Sequence, residues 1–374
     1  MSGNSDLNGA KAARKDEFYT QLTDIEKELK HYKNHFKDKV VFCNCDDPFE
    51  SNFFKYFVLN FNRLGLKKLI CTSYISSPVA TTELNLFSWQ TLKEEERKII
   101  RPYKAVVTKV YDKNNDGMID LEDIADLFKS GENSLTRLEG DGDFRSKESL
   151  SLLDESDVVV TNPPFSLFRE FVSTLIEHDK KFIIIGNINA VTYKEVFPLI
   201  KDNKLWIGVS IHSGDRAFFV PDDYPLDASG CGIDASGRKF IRVKGVRWFT
   251  NLDVKQRHES LILYKRYSPE SYPRYVNFDA IDVLKTQDIP CDYAGNIGVP
   301  ITFLDKYNPE QFEIIGNDAT LRVPMETVAK RGEYNPGGNV FYLKDNSPDA
   351  PYKYKASYKR FVVRNKHPEQ PKEN

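Results

Sequence analysis

Ser156–Val172 reads SDVVVTNPPFSLFREFV, and the fold is decided there. Val158 to Thr161 is a continuous apolar run without polar alternation, the pattern of a strand covered on both faces. Asn162-Pro163-Pro164-Phe165 follows, and Ser166 to His178 then carries apolar residues at helical spacing. Strand, stiff loop and helix therefore succeed one another within about twenty residues. The same unit recurs on either side. Lys39–Cys43 (KVVFC) predicts a buried strand, Ser51–Leu64 a helix closed by Gly65, and Leu66–Thr72 (LKKLICT) and Lys181–Gly186 (KFIIIG) two more strands. Such alternation predicts an α/β fold with a doubly wound, mostly parallel sheet. Ligands of such sheets sit beyond the carboxyl ends of the strands. The loops to watch are Asn44–Pro48, Asp141–Asp143 and Asn162–Phe165.

Outward from this core, Leu22, Ile25, Leu29, Tyr32 and Phe36 predict one helix from about Thr20 to Phe36. Residues 1–13 are small and polar and read as disordered. Beyond Asn189 the pattern turns β-like, at Leu205–Ile211, Arg216–Val220, Lys239–Trp248 and Ser260–Tyr264, as antiparallel strands completing the sheet would be. After Pro269 the chain is richer in Pro, Asn and Tyr. The organisation expected is a core domain at 14–268 and a separate C-terminal region at 269–374.

The 374 residues carry a net charge of −2, which argues against a protein that binds nucleic-acid backbone over its whole surface. A local basic face remains open. Lys353, Lys355, Lys359, Arg360 and Arg364 are interleaved with Tyr352, Tyr354, Tyr358 and Phe361, the pattern of a phosphate-tracking segment or of a solvated tail. The five cysteines fit neither a disulfide framework nor zinc spacing and read as free thiols of a cytoplasmic protein. No stretch has the length of a membrane span.

The Asn162–Phe165 loop suggests a chemistry. Two prolines fix their own φ and remove two donors, so the loop presents acceptors with little freedom. The Asn162 side-chain carbonyl and the Pro163 main-chain carbonyl suit the two hydrogens of a planar amine. Phe165 offers a flat face to a ring. Holding a weakly nucleophilic amine in this way suits direct methyl transfer without a covalent enzyme intermediate. A proline-stiffened turn capping the next helix is the plainer reading.

Longer stretches carry a resemblance. KDEFYTQ (Lys15–Gln21), VFCNCDDPFESNFFKYF (Val41–Phe57), GDGDFRS (Gly140–Ser146), TNPPFSLFREFV (Thr161–Val172), VRWFTNL (Val246–Leu252) and GVPITFLDKYNPEQFEIIGN (Gly298–Asn317) resemble the EcoRI-type adenine-specific DNA methyltransferase family. The resemblance runs from about residue 15 into the C-terminal region. It implies the S-adenosylmethionine-dependent methyltransferase fold, transfer of a methyl group to N6 of a flipped adenine in double-stranded DNA, and a restriction–modification setting with a separately acting endonuclease. It makes Asn162, Pro163, Pro164 and Phe165 the catalytic loop. It also implies donor-binding roles for Phe18, Tyr19 and Thr20, for Asn44, Cys45, Asp46, Asp47 and Pro48, and for Asp143 and Phe144. Asp46 and Asp47 equally suit a helix cap near Ser51. Residues 269–374 become the target-recognition region of a protein expected to be a monomer, with Arg322 and Arg331 among its candidates. Ser210–Phe219 is expected to help enclose the flipped base.

A further motif lies within an insertion at about 104–135. Asp112, Asn114, Asp116, Asp120 and Asp123 fall at positions one, three, five, nine and twelve of an EF-hand-like loop, with Gly117 at six and the Met118 carbonyl at seven. One structural Ca2+ or Mg2+ is the reading, against a metal-free surface turn. Two other functions stay open: the same fold acting on RNA or a protein glutamine, and a non-catalytic DNA- or calcium-binding relative.

Overall fold

The computed structural model describes residues 18–45, 51–73, 102–112, 127–128, 131–220, 224–226 and 230–370. Two compact units are formed: Met1–Ala190 with Ile207–Leu252, and Val191–Trp206 with Asp253–Asn374.

In the first unit the strands are β1 (Val40–Cys43), β2 (Lys68–Thr72), β3 (Tyr103–Val107), β4 (Ser134–Arg137), β5 (Val158–Thr161) and β6 (Lys181–Asn187). The two-residue strand β7 (Trp206–Ile207) leads back into this unit, followed by β8 (Asp215–Phe219), β9 (Gly232–Ile233), β10 (Lys239–Lys244) and β11 (Val246–Thr250). The main sheet has the order β4-β3-β2-β1-β5-β6-β11-β7. Its centre, β2-β1-β5-β6, is parallel, as the apolar runs require. Val41, Phe42, Cys43, Val159 and Val160 are wholly buried there.

The sheet is mixed: β3 pairs antiparallel with β2 and β4 with β3, which corrects the mostly parallel expectation on that flank, while β11 pairs antiparallel with β6, as expected of a strand completing the sheet beyond Asn189. β3 and β4 carry no clear sequence signal, because β3 alternates buried and half-buried residues and β4 exposed and half-buried ones over only five and four residues. The expected strand Lys239–Trp248 is two. Gly245, at φ 72°, turns the chain between β10 and β11, a conformation that side chains disfavour. β10 leaves the main sheet to form a three-stranded sheet with β8 and β9.

Among the described residues the helices of the first unit are α1 (Leu22–Leu29), α2 (Asn52–Leu59), α3 (Phe61–Leu64), α4 (Lys147–Glu155) and α5 (Phe168–Glu177). Ser51 caps α2 by accepting from Phe53 N, and Gly65 ends α3 at φ 64°. The Thr20–Phe36 helix is shorter than its apolar pattern. It stops at Leu29, and a 3-10 turn at Lys33–His35 brings Tyr32 and Phe36 to the core instead. Glu28 is fully buried beside this break. It accepts from Tyr32 OH at 2.9 Å and from the main chain of Val209 and Ser210 at 2.8 and 2.7 Å.

The second unit holds a four-stranded sheet, β12-β13-β17-β14, and a β15-β16 hairpin. Their ranges are β12 (Ile281–Asp282), β13 (Ile297–Pro300), β14 (Phe312–Asn317), β15 (Tyr342–Lys344), β16 (Tyr354–Ala356) and β17 (Arg360–Asn365). Ser260–Tyr264 forms no strand, against expectation. The Gln311 side chain takes the place of a partner strand: it accepts from Leu261 N at 2.7 Å and donates to Leu261 O at 2.9 Å.

His258 lies between Asp253 (2.8 Å) and Glu310 (3.1 Å) in this unit. Its hydrogen bond to Asp253, supported by Glu310, holds the imidazole pKa above 6.5. A raised folded pKa means the contribution is complete below the unfolded value and is lost as pH rises through the folded one. While both carboxylates stay ionised, His258→Gln is expected to lower the unfolding midpoint at about pH 6 and to leave it unchanged at about pH 8.5. Denaturation at the two pH values checks this.

Among the described residues no helix is long and apolar enough to cross a membrane.

Candidate active site

The loops after β1, β2 and β5 are tied to one another by their own polar groups. Thr161 Oγ1, at the end of β5, donates to the carbonyl of Asn44 after β1. Gly142 lies so close to the Ser73 carbonyl that a Cβ would collide with it, which seats Gly140–Phe144 at the end of β2. Asn52 Nδ2 donates to Thr20 O at 2.7 Å and draws the N-terminal segment to the start of α2. That segment is also strand-paired: Tyr19 N donates to Phe219 O at 2.9 Å and Phe219 N to Tyr19 O at 3.1 Å.

Asn162 is the centre of this arrangement. Its Nδ2 donates to the main-chain carbonyl of Phe18 at 2.5 Å. Its Oδ1 is buried and has no hydrogen-bond partner. A buried acceptor without a partner costs about 1–3 kcal/mol, so it marks a place where a donor is meant to arrive. The amide is oriented by one side and left open on the other. Pro163 is buried beside it. Phe165 is half-buried in an aromatic enclosure, with Phe18 edge-on at 5.7 Å and Phe218 at 6.3 Å. Phe218, from the Ser210–Phe219 segment, therefore packs against the Phe165 ring.

The candidate donor-binding residues divide. Thr20 Oγ1 and Asn44 Oδ1 are buried without partners. Thr72 Oγ1, at the end of β2, is a third such oxygen that the sequence did not single out; its terminal strand position was the available signal. Three unsatisfied oxygens near the strand ends fit a polar ligand such as S-adenosylmethionine. Cys45 adopts φ 66°, the left-handed turn usually given to glycine, in a loop that has none. Asp46, Asp47 and Pro48 lie outside the described residues. Phe18 and Tyr19 commit their main chains to Asn162 and Phe219. The Asp143 carboxylate is wrapped by Arg145, accepting from its main-chain N at 2.8 Å and its guanidinium at 2.6 and 2.9 Å. These bonds hold the carboxyl below its usual range. Phe144 packs edge-on against Phe171 at 5.0 Å, which anchors the loop.

Of the EF-hand-like positions, Asp112 is half-buried at the end of a described stretch, and Asn114, Asp116, Met118, Asp120 and Asp123 lie outside the described residues. Among the described residues no group of three or more His, Cys, Asp or Glu is placed to hold a metal.

In the second unit, Lys353, Lys355, Lys359 and Arg364 are exposed. Arg360 is a correction to the proposed phosphate contacts. Its side chain is 5% exposed and its Nε donates to Asp282 at 2.9 Å, so its charge is spent inside the unit. Arg322 and Arg331 line a cavity of about 490 Å³ with Asn339, Tyr334 and Tyr352.

Residues 6–366 match the family described as adenine-specific methyltransferase EcoRI. The chain is 49% identical over 315 residues to the Type II methyltransferase M.EcoRI of Escherichia coli, covering 83% of this chain and 88% of that protein. It is 37% identical over 327 residues to the Type II methyltransferase M.MgeORF184P of Mycoplasma genitalium, covering 86% and 89%. It is 37% identical over 326 residues to the Type II methyltransferase M.MpnI of Mycoplasma pneumoniae, covering 86% and 88%. No solved structure matches the chain.

Proposed function

Since this chain belongs to the EcoRI family of adenine-specific methyltransferases, we propose that Asn162, Pro163 and Phe165 hold the N6 amine of an extruded adenine for direct methylation. The protein is a site-specific DNA-adenine methyltransferase that uses S-adenosylmethionine. The observation that carries the residue assignment is the orientation of Asn162: Nδ2 is held by Phe18 O, and Oδ1 is buried and open.

Asn162 Oδ1 accepts one hydrogen of the amine and the Pro163 carbonyl accepts the other. Both acceptors draw electron density toward nitrogen and fix the direction of its lone pair. Phe165 stacks on the extruded base, and Phe18 and Phe218 keep that ring from swinging away. Bound S-adenosylmethionine supplies an electrophilic methyl group. Thr20, Asn44 and Thr72 are the groups assigned to hold it, because each has a buried oxygen awaiting a donor. Asp143 joins them when Arg145 shares its carboxylate. Competition between duplex DNA, RNA and a glutamine peptide for labelled methyl tests the substrate class. Label entering RNA or peptide in preference to DNA would remove this reading.

Residues 269–374 serve target recognition in this proposal, with Lys353, Lys355, Lys359 and Arg364 on phosphates. Replacing these four by Gln is expected to lower the slope of log affinity against log salt by about 0.9 for each phosphate they neutralise. A fluorescence titration over a range of salt reads it, and an unchanged slope removes the segment from the interface. The relatives' Type II naming suggests the same setting here, methylation shielding DNA from a separately acting endonuclease. That companion would be a nuclease whose cutting this methylation blocks.

A further inference from the structure

We infer that Glu28 is a positioning residue for methyl transfer, through its hold on the 209–219 segment whose Phe218 packs against the catalytic-loop ring. This role rests on the DNA-methylating reading above and extends it from the loop to a residue that fixes the loop's surroundings.

β7 ends at Ile207, and Gly208 N still donates to Trp248 O of β11 at 2.8 Å. The next two main-chain donors lie past that strand end and must find acceptors elsewhere. Both find Glu28, in the last turn of α1. Val209 N donates to Oε1 at 2.8 Å and Ser210 N to Oε2 at 2.7 Å. Tyr32 OH adds a third bond, to Oε1 at 2.9 Å. Glu28 is wholly buried, and a carboxyl group is costly to bury unless donors meet it. Gly208 makes the close approach possible, because a Cβ there would lie 2.3 Å from Glu28 Oε1.

These bonds are one end of a strap. Residue numbers rise along the N-terminal segment and α1 while those of their partners fall. Tyr19 exchanges both main-chain bonds with Phe219. Asp24 Oδ2 lies 3.9 Å from Arg216 Nε. Glu28 then takes Ser210 and Val209. The 209–219 segment is thus fixed at both ends and once between, against the chain that follows Phe18.

Phe18 and the strapped segment meet at the same loop. The Phe18 carbonyl holds Asn162 Nδ2, and the Phe18 ring lies edge-on to Phe165 at 5.7 Å. Phe218 lies 6.3 Å from Phe165 and 6.0 Å from Phe18. A change in the path of 209–219 therefore shifts a ring that packs on Phe165. None of the groups assigned to the donor lies on that segment. Rate depends more steeply than affinity on such alignment.

The test uses the full chain, a mixed-sequence duplex and labelled S-adenosylmethionine. Glu28→Gln keeps the size of the side chain but sets an amide N–H against a main-chain N–H. Its single-turnover methyl transfer at saturating donor and duplex is expected to fall about 10–100-fold, with the affinity for each unchanged. Glu28→Asp keeps the charge but is one methylene short of spanning both donors. It is expected to be slowed too, and it carries the test if the Gln variant fails to bind donor in calorimetry. Tyr32→Phe removes a bond to Glu28 without touching the strap, so it is expected to lower the denaturation midpoint and leave the rate unchanged. A Glu28→Gln protein that loses stability while its folded fraction keeps the wild-type rate overturns the inference. So does an equal loss of rate in Tyr32→Phe. Wild-type protein that leaves the duplex unmethylated would instead overturn the functional reading on which this role stands.

Discussion

Asn162→Ala is expected to lower kcat for methyl transfer by about 10²–10³-fold, the usual cost of removing one preorganised polar group from a reacting centre. Donor affinity and DNA affinity should change little. The alanine removes the open Oδ1 acceptor and leaves the Phe18 carbonyl without its donor. Asn162→Asp separates the two contributions. It keeps an acceptor but has no N–H for Phe18 O, and a carboxylate beside a carbonyl turns away. It should therefore be impaired too, though it is nearly the same size as asparagine. Single-turnover rates with saturating DNA read both. A raised KM with unchanged kcat would mean that Asn162 binds substrate uniformly and does not orient the amine.

Asp282→Asn is expected to cost the second unit about 3–5 kcal/mol, because it leaves Arg360 charged and buried without its counter-ion. The pair is 5% and 2% exposed, and the Tyr275 hydroxyl also donates to Asp282. Burial, with the Asp282 charge behind it, holds the Tyr275 phenol well above its usual pKa, so the tyrosine stays a donor at neutral pH. Replacing both partners by apolar residues of similar size should recover much of the loss, since the attraction within a buried ion pair is largely offset by the desolvation of its two charges. Chemical denaturation measures the shift. A small effect in Asp282→Asn would mean that water reaches Arg360 and that the pair is not sealed.

The parts of the fold legible in the sequence were those with an unambiguous period. Val158–Thr161, Val40–Cys43 and the Phe182–Ile185 centre of β6 are short apolar runs rich in β-branched residues, and their length and composition favour a strand covered on both faces over a helix. β3 and β4 are half-exposed and short, and their antiparallel pairing depends on where the chain returns, which composition does not encode. Gly245 divides one β-like run into strands of two sheets, and one glycine among twenty does not announce a positive φ. At the site, the Asn-Pro-Pro-Phe motif was visible, but its anchor was not. Phe18 lies 144 residues from Asn162 and acts through its main chain, which has no sequence signature. Arg360 misled for the related reason that a run of cations looks alike whether its members face water or a buried carboxylate 78 residues away.

In the proposed reaction the Asn162–Phe165 loop presents an adenine amine for methylation. The most direct measurement incubates wild-type and Asn162→Ala protein with radiolabelled S-adenosylmethionine and mixed-sequence duplex DNA, then digests the DNA and identifies the labelled nucleoside. Label in N6-methyladenine with the wild type, and its near-absence with the variant in a sample that still binds donor, is the result expected. Label in a methylcytosine, or equal labelling of adenine by both proteins, would contradict the account.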